Sequence, residues 1–218
     1  LENKLNGFTN LIIRDAVIGK QAVFKSNELL DINRNQEFIG WMLDHSDLMN
    51  ILLSRIKNNT DIDLRLGEAG SLETNSYDLV VTANGNNFRA GTKFPNLIPK
   101  FKYKQSCLSV KLLLRGADSK TAFEILRKDG PLAILPMGSD LFQIVMSGPY
   151  EKLQALVNSN QSVLLDRISS IMPNNIQVDS IIGNASIFPT YFYLSNPIIK
   201  KKCISIGESA HSFHPVGG

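Results

Sequence analysis

The chain has 218 residues, 43% of them hydrophobic, which is enough for a buried core in one or two domains. Its 23 basic and 20 acidic residues give a net charge of +3, which argues against nucleic acid as a partner but suits weak attraction to an anionic membrane surface. The two cysteines, Cys107 and Cys203, form neither a disulfide framework nor a zinc motif, and no apolar run reaches the roughly 18 residues of a membrane span. Composition alone therefore predicts a soluble, cytoplasmic α/β protein.

The first quarter of the chain predicts strands followed by one helix. Leu11 to Ser26 is rich in β-branched and apolar residues, and Gly19 divides it into two successive strands or a hairpin. Gly40 to Leu43 is a short strand candidate. Ser46 then stands where a helix N-cap is expected, and apolar residues at helical spacing continue to about Lys57.

The next segment predicts a covered strand and a turn. A short strand is expected from Asp63 to Leu66. Leu79 to Val81 is apolar on both faces, which is typical of a central strand, and the Asn84-Gly85 pair after it is a turn signal. Phe94 to Lys104, with two prolines and several lysines, is interpreted as a crossing linker.

The second half predicts an antiparallel sheet and two helices. A strand from Gln105 to Leu114 precedes a hairpin whose turn lies between Leu135 and Leu141. The second hairpin strand carries Phe142, Ile144 and Met146 on one face, interpreted first as core and second as a substrate wall. Further elements are predicted as helices at Glu151–Val157 and Ser162–Met172, and as strands at Ala185–Leu194 and Lys202–Ile206. The fold class is mixed α/β: a partial Rossmann-like parallel unit interleaved with an antiparallel sheet.

The final strand leads into the sequence GESAHSFHPVGG, which carries the strongest chemical signal. Gly207 and Glu208 would place a carboxylate at the carboxyl edge of a sheet, where open α/β sheets bind ligands and where it can accept hydrogen bonds from sugar-like hydroxyls. Gly217 and Gly218 would let backbone amides approach a phosphate or ring oxygen closely. His211 and His214 lack the i, i+4 spacing of zinc proteases, so no metal is expected.

These segments resemble a known family. GESAHSFHPVGG is similar to the GDAAHxxHPxxGQG signature of flavoprotein monooxygenases with the para-hydroxybenzoate hydroxylase fold, and SYDLVVTANGNNFRAG resembles their motif DLVVGADGxxSxVR. AFEILRKDGPLAILP is similar to a stretch of the ubiquinone-biosynthesis hydroxylases, including the 2-octaprenyl-6-methoxyphenol hydroxylase type. GWMLDHSDLMNILLSRI resembles the segment before the second motif. The four occur in family order along nearly the whole chain.

The resemblance assigns FAD as the cofactor. It places Glu208, beside Gly207, at the aspartate that binds the flavin ribityl chain, and Pro215, Gly217 and Gly218 in the loop along the flavin ring. In the second motif the resemblance implies that Asn84 replaces an aspartate implicated in FAD and NADPH binding, that Gly85 matches the family's glycine, and that Phe88 replaces a serine. No catalytic acid or base is assigned.

The resemblance also implies a domain layout. Residues 1–39 would be substrate-domain strands, 40–94 part of the FAD-binding domain, 95–199 the substrate-binding domain, and 200–218 the return to the FAD-binding domain. Both ends are interpreted as cut, so the chain would be an internal fragment without the family's GxGxxG motif and C-terminus. Alone, it is expected to be inactive, weakly stable and unable to bind FAD tightly.

The implied activity is hydroxylation of a hydrophobic polyprenyl phenol in quinone biosynthesis, with NAD(P)H as reductant and O2 as co-substrate. The expected setting is cytoplasmic, with peripheral contact to the inner membrane face and a quinone-biosynthesis complex as partner. A second hypothesis, supported by Asn84 and Phe88, is a non-catalytic homologue that serves as an assembly or binding subunit of that complex. A third, a prenyl reductase of the same superfamily, is disfavoured by the GPLAILP stretch.

Overall fold

The structure is a computed structural model that describes residues 2–28, 37–67, 76–83, 85, 99–194 and 198–213. Its strands are, in chain order, β1 Asn6–Phe8, β2 Asn10–Asp15, β3 Gln21–Lys25, β4 Gly40–Met42, β5 Val80–Thr82, β6 Pro99–Arg115, β7 Thr121–Leu126, β8 Leu132–Gly138, β9 Leu141–Gly148, β10 Gln177–Leu194, β11 Ile199–Lys200, β12 Cys203–Ser205 and β13 His211–Ser212. Its helices are α1 His45–Lys57, α2 Tyr150–Val157 and α3 Gln161–Ser169. The predicted mixed α/β fold is confirmed.

The described residues form two compact units. The first comprises Leu1–Ile62 and Gln105–Pro189, and the second comprises Asp63–Lys104 and Thr190–Val216. The chain passes from one unit to the other after residues 62, 104 and 189. The sequence instead predicts domain boundaries after residues 39, 94 and 199. Which cofactor or substrate each segment serves stays a prediction.

A large sheet dominates the first unit. Its strand order is β10-β6-β9-β8-β7-β2-β3. The last two residues of β10, Tyr193 and Leu194, belong to the second unit and pair with β13. The β2–β7 pair is parallel, while β6–β9, β9–β8, β8–β7 and β2–β3 are antiparallel. The hairpin predicted before Leu141 is confirmed, and of the two alternatives for the strands around Gly19 the structure has the hairpin. None of the helices in the described part combines the length and apolar character needed to span a bilayer.

The core lies on one face of this sheet. Because side chains alternate across a strand, the register places Leu108, Met146 and Leu132 in one cross-strand row. Parallel rows are Val110–Ile144–Ile134 and Leu112–Phe142–Pro136. Helices α2 and α3 cover these rows with Leu153, Leu164 and Ile168. Phe142, Ile144 and Met146 are at most 2% exposed, so the first interpretation of that face, as core, is confirmed.

Three local predictions are wrong. Helix α1 begins earlier than expected: Asp44 is its N-cap, and its carboxylate accepts hydrogen bonds from the Ser46 amide and hydroxyl at 2.9 and 2.6 Å. An aspartate outcompetes serine here because a full negative charge caps the helix dipole better. Asp63–Leu66 is not a strand. Residues 99–104, interpreted as part of a linker, extend β6, since a long sheet strand tolerates lysines wherever one face meets water.

Gly130, in the GPLAILP stretch, allows β8 and β9 to approach closely. Its φ is +129°, and a Cβ there would lie 2.6 Å from the carbonyl oxygen of Ser147. The same approach lets the Ser147 amide donate to the carbonyl of Pro131 at 2.9 Å. Any side chain at position 130 would therefore strain the backbone and clash with the neighbouring strand.

We expect Gly130→Ala to lower the free energy of unfolding by about 3 kcal/mol, because backbone strain adds to overpacking against a backbone atom. The matched control is Gly19→Ala, where φ is +71° but no atom lies within 4 Å of the added Cβ. That variant should lose about 1 kcal/mol. Urea unfolding of both variants checks the difference, and equal losses would show that the close approach of the strands is not required.

Candidate functional site

Two motifs found in the sequence lie on neighbouring parallel strands of the second unit. Strand β12 pairs in parallel with β5, with Cys203 opposite Val80 and Ser205 opposite Thr82. Parallel strands end at the same edge of a sheet, so the residues after Thr82 and after Ser205 meet there. The parallel unit predicted from the sequence is confirmed. Strand β5 was expected to be a central strand. It is instead an edge strand of the described three-stranded sheet, whose order is β11-β12-β5.

The two loops are tied together at this edge. The Ile206 amide donates to the carbonyl of Thr82 at 3.0 Å, which continues the parallel pairing beyond the strands. The fully buried Ser209 hydroxyl then donates to the carbonyl of Gly85 at 3.2 Å. A Cβ added at Gly85 would stand 3.8 Å from Oε2 of Glu208. The structure therefore brings Gly85, Gly207 and Glu208 into one cluster, which we call the strand-end site.

Both glycines of the strand-end site have left-handed backbone. Gly85 has φ +65° and Gly207 has φ +57°, a region that residues with a Cβ enter only at a cost. The chain thus adopts a backbone that favours glycine shortly after each of the two strands ends. The other predicted cofactor residues, Asn84, Pro215, Gly217 and Gly218, lie outside the described residues, and their roles stay predictions.

Two buried residues outside the predicted cofactor set support this site. Ser209 is one, and its only signal was its place within the GESAH motif. Tyr193 is the other: it is fully buried, and its pKa is raised by burial and by the nearby negative charge of Glu208. His211 packs its ring 5.2 Å from that of Phe213. Glu208 is thus the exposed residue of this site, whereas Ser209 and Tyr193 beneath it are buried.

The first unit carries a second surface, on the face of the large sheet opposite helices α2 and α3. We call it the polar face. Register places on it six side chains with chemical function: Cys107, Ser109, Lys111, Glu124, Gln143 and Ser147. The Gln143 amide donates to the Ser109 hydroxyl at 2.8 Å, and the Cys107 thiol lies 3.2 Å from the Ser147 hydroxyl. Polar groups on this face are thus already oriented by one another.

The charges of the polar face are constrained by their neighbours. Lys111 forms an ion pair with Asp44, and this hydrogen bond, with those from Ser46, holds the pKa of Asp44 well below its usual range. Burial raises the pKa of the Cys107 thiol, which therefore stays protonated and is a poor nucleophile. Burial also raises the pKa of Glu124. The face can offer a carboxyl group that holds its proton more readily than an exposed glutamate does.

The raised pKa of Glu124 makes a prediction about stability and pH. A folded-state pKa above the unfolded value, about 4.3, means that the associated stability is fully present below that value and is lost as pH rises through the folded pKa. Glu124→Gln cannot ionise, so its stability relative to the unchanged protein should increase between about pH 4 and pH 8.

Thermal unfolding of both proteins across this pH range measures the difference. Glu28→Gln, at an exposed position after β3, is the control and should show little change relative to the unchanged protein. A difference for Glu124→Gln that does not vary with pH would mean that Glu124 keeps an ordinary pKa in the folded state.

Comparison with known proteins places this geometry in context. No family model matches the chain. It is 30% identical over 118 residues to slr1300, an uncharacterized protein of Synechocystis, covering 54% of this chain and 28% of that one. It is 21% identical over 197 residues to the 3-demethoxyubiquinol 3-hydroxylase of Escherichia coli, covering 83% and 50% respectively. The chain thus spans half or less of the length of these relatives.

Solved structures show the same fold. PqsL of Pseudomonas aeruginosa, described as a probable FAD-dependent monooxygenase, superposes with a TM-score of 0.67 at 14% identity, over 98% of this chain and 64% of that one. The resemblance to the FAD-dependent hydroxylases inferred from the sequence is therefore confirmed, and the fold described above is theirs.

Proposed function

We propose that this chain, which has the fold of the FAD-dependent hydroxylases, is part of an enzyme that hydroxylates a hydrophobic polyprenyl phenol in quinone biosynthesis, with NAD(P)H and O2. The observation that carries the proposal is the meeting of Gly85 and Glu208 at the carboxyl ends of two parallel strands. Similarity to a 3-demethoxyubiquinol 3-hydroxylase supports the phenol as the substrate class. A quinone-biosynthesis complex and the surface of the inner membrane are the proposed partners.

The strand-end site suits FAD. The exposed carboxylate of Glu208 is an acceptor for hydroxyl groups such as those of the ribityl chain. The left-handed turns at Gly85 and Gly207 remove side chains where a cofactor would approach the backbone. We assign Asn84, Pro215, Gly217 and Gly218 to the same cofactor. When bound, FAD carries reducing equivalents from NAD(P)H to oxygen.

The chain's own residues bind and orient. Glu208 would hold the cofactor through charge-assisted hydrogen bonds, and the hydrogen bond from Ser209 to Gly85 would keep the two loops at a fixed distance. On the polar face, the carboxyl of Glu124 and the amide of Gln143 are the groups that we propose orient the phenol hydroxyl. The apolar residues around them, Ala133, Leu135 and Val145, would exclude water.

The first experiment is an absorbance spectrum of the full-length protein before and after addition of NADPH in air. We expect bound oxidised flavin that bleaches and then recovers, because reduced flavin is reoxidised by oxygen. Hydroxylation is then measured with a prenylated phenol, and incorporation of one oxygen atom from labelled O2 should be found by mass spectrometry. Flavin that cycles without oxygen incorporation would contradict the hydroxylase assignment while leaving the cofactor assignment intact.

A second candidate function is a non-catalytic assembly subunit. The observation that favours it is in the sequence: Asn84 and Phe88 replace the acidic and serine residues of the family motif. A full-length protein that stays colourless with added FAD would support this candidate and contradict the flavin-dependent hydroxylase.

Substitutions at Glu208 test the cofactor contact. Glu208→Gln should weaken FAD binding by about tenfold or more, since a hydrogen bond to a charged acceptor is exchanged for one to a neutral acceptor. Glu208→Asp keeps the carboxylate and should retain most of the affinity.

FAD affinity of the full-length apoprotein, measured by quenching of flavin fluorescence, checks both variants. Glu151→Gln, at an exposed position in the first turn of α2, removes the same charge elsewhere and should bind FAD as the unchanged protein does. Equal affinity of Glu208→Gln and the unchanged protein would remove Glu208 from the cofactor site.

A further inference from the structure

A cavity of about 420 Å³ lies on the helix-covered side of the large sheet, within the first unit. It is bounded by helices α2 and α3, by the end of β9 and by the residues that follow β7. Its volume falls in the range of small-molecule sites in proteins. We call it the helix-side pocket. Most of its lining lies on the helix-covered side, and Ser147, at the end of β9, is the residue that it shares with the polar face.

Arg127 is the unusual residue of this pocket. Its Nε is buried and has no hydrogen-bond partner among the described residues. Burial, reinforced by the positive charge of Arg167, lowers the pKa of the guanidinium. A buried donor of this kind is costly unless an acceptor reaches it, and the described residues place no acceptor on this Nε.

The other charged residues of the pocket add further positive charge. Arg167 and the exposed Lys152 line it, whereas Asp129 is the one carboxylate among the lining residues. Asp129 already faces Arg167, with Oδ2 3.8 Å from the guanidinium nitrogen. Three cations against one carboxylate leave a local excess of positive charge, and the guanidinium groups can bind a carboxylate or phosphate through paired hydrogen bonds.

Apart from Ser147, the remaining lining side chains are apolar. Met146 and Leu153 are buried at the base, Leu156 is half-buried, and Val163 is 47% exposed at the mouth. A simple phosphate ion would contact few of these side chains. A ligand with an anionic head and an apolar body would meet both kinds of surface and would cover the exposed valine.

We propose that the helix-side pocket binds an amphipathic anion, whose carboxylate or phosphate group contacts Arg127 and whose apolar body lies against Met146, Leu153 and Val163. The pocket is formed by the first unit alone, so the proposal does not depend on flavin chemistry at the strand-end site. Binding should weaken at high salt, because the pocket opens to solvent and its charges are screened.

Calorimetric titration of the full-length protein tests the proposal with octanoate, octyl phosphate, inorganic phosphate and octanol as probes. We expect octanoate, octyl phosphate or both to bind at least about tenfold more tightly than octanol and inorganic phosphate, since only they combine charge and apolar surface. The comparison of octanoate with octyl phosphate distinguishes a carboxylate ligand from a phosphate ester. Octanol binding as tightly as the anions, or inorganic phosphate as tightly as octyl phosphate, would overturn the proposal.

Arg127→Met should reduce affinity for the bound anion by about tenfold or more while leaving thermal stability unchanged or higher, because it removes a buried, unpartnered donor. The matched control is Arg55→Met, which removes the same charge from the exposed end of α1 and should leave anion affinity unchanged. Should Arg127→Met fail to fold, Val163→Asp provides the second variant: it places a like charge at the mouth and should weaken octanoate binding. Unchanged affinity in a folded Arg127→Met protein, or in Val163→Asp, would overturn the assignment.

Discussion

Side-chain alternation across strands β6, β9 and β8 is the constraint on which the rest of the structure depends. Their register aligns Leu108, Met146 and Leu132 on one face, and shifting any strand by one residue would replace its core side chains with those of the opposite face. Burying the apolar rows under α2 and α3 therefore fixes, at the same time, which groups appear on the opposite face. Glu124 and Gln143 lie on the polar face because their neighbours are required in the core.

The same register explains why the polar groups on the polar face remain ordered. Cys107 and Ser147 are directly opposite each other, and Gln143 and Ser109 are diagonal cross-strand neighbours, so both pairs can bond without help from a loop. Lys111 extends this order beyond the sheet, since its ion pair with Asp44 ties the polar face to the residue that caps α1. One carboxylate thus serves a helix end and a sheet side chain together.

The sequence predicted the structure correctly where the spacing of apolar residues or a recognisable motif pointed to one element. The hairpin before Leu141 and its apolar face follow from strict alternation, and the strand-end site follows from an acid placed after a short strand. It failed where two residues compete for one role, as Asp44 and Ser46 do at the start of α1. It also failed for residues 99–104, where lysines and proline suggested a linker. Arg127 could not have been singled out, since its burial depends on contacts between residues far apart in sequence.

The motif that relates this chain most specifically to the quinone-pathway hydroxylases is largely structural. In GPLAILP, Gly130 permits a close approach of two strands, while Leu132 and Ile134 are fully buried in the core. Its presence therefore reports how the sheet is built and not which atom of a ring is oxidised. The side chains of this sheet that point away from the helix-covered core are on the polar face, which is where we propose that the phenol is oriented. Glu124 shows the connection, because it lies on β7 immediately before the motif and directs its carboxyl away from the core that the motif builds. Residues that maintain the fold and residues that could contact different substrates can thus lie on opposite faces of the same strands.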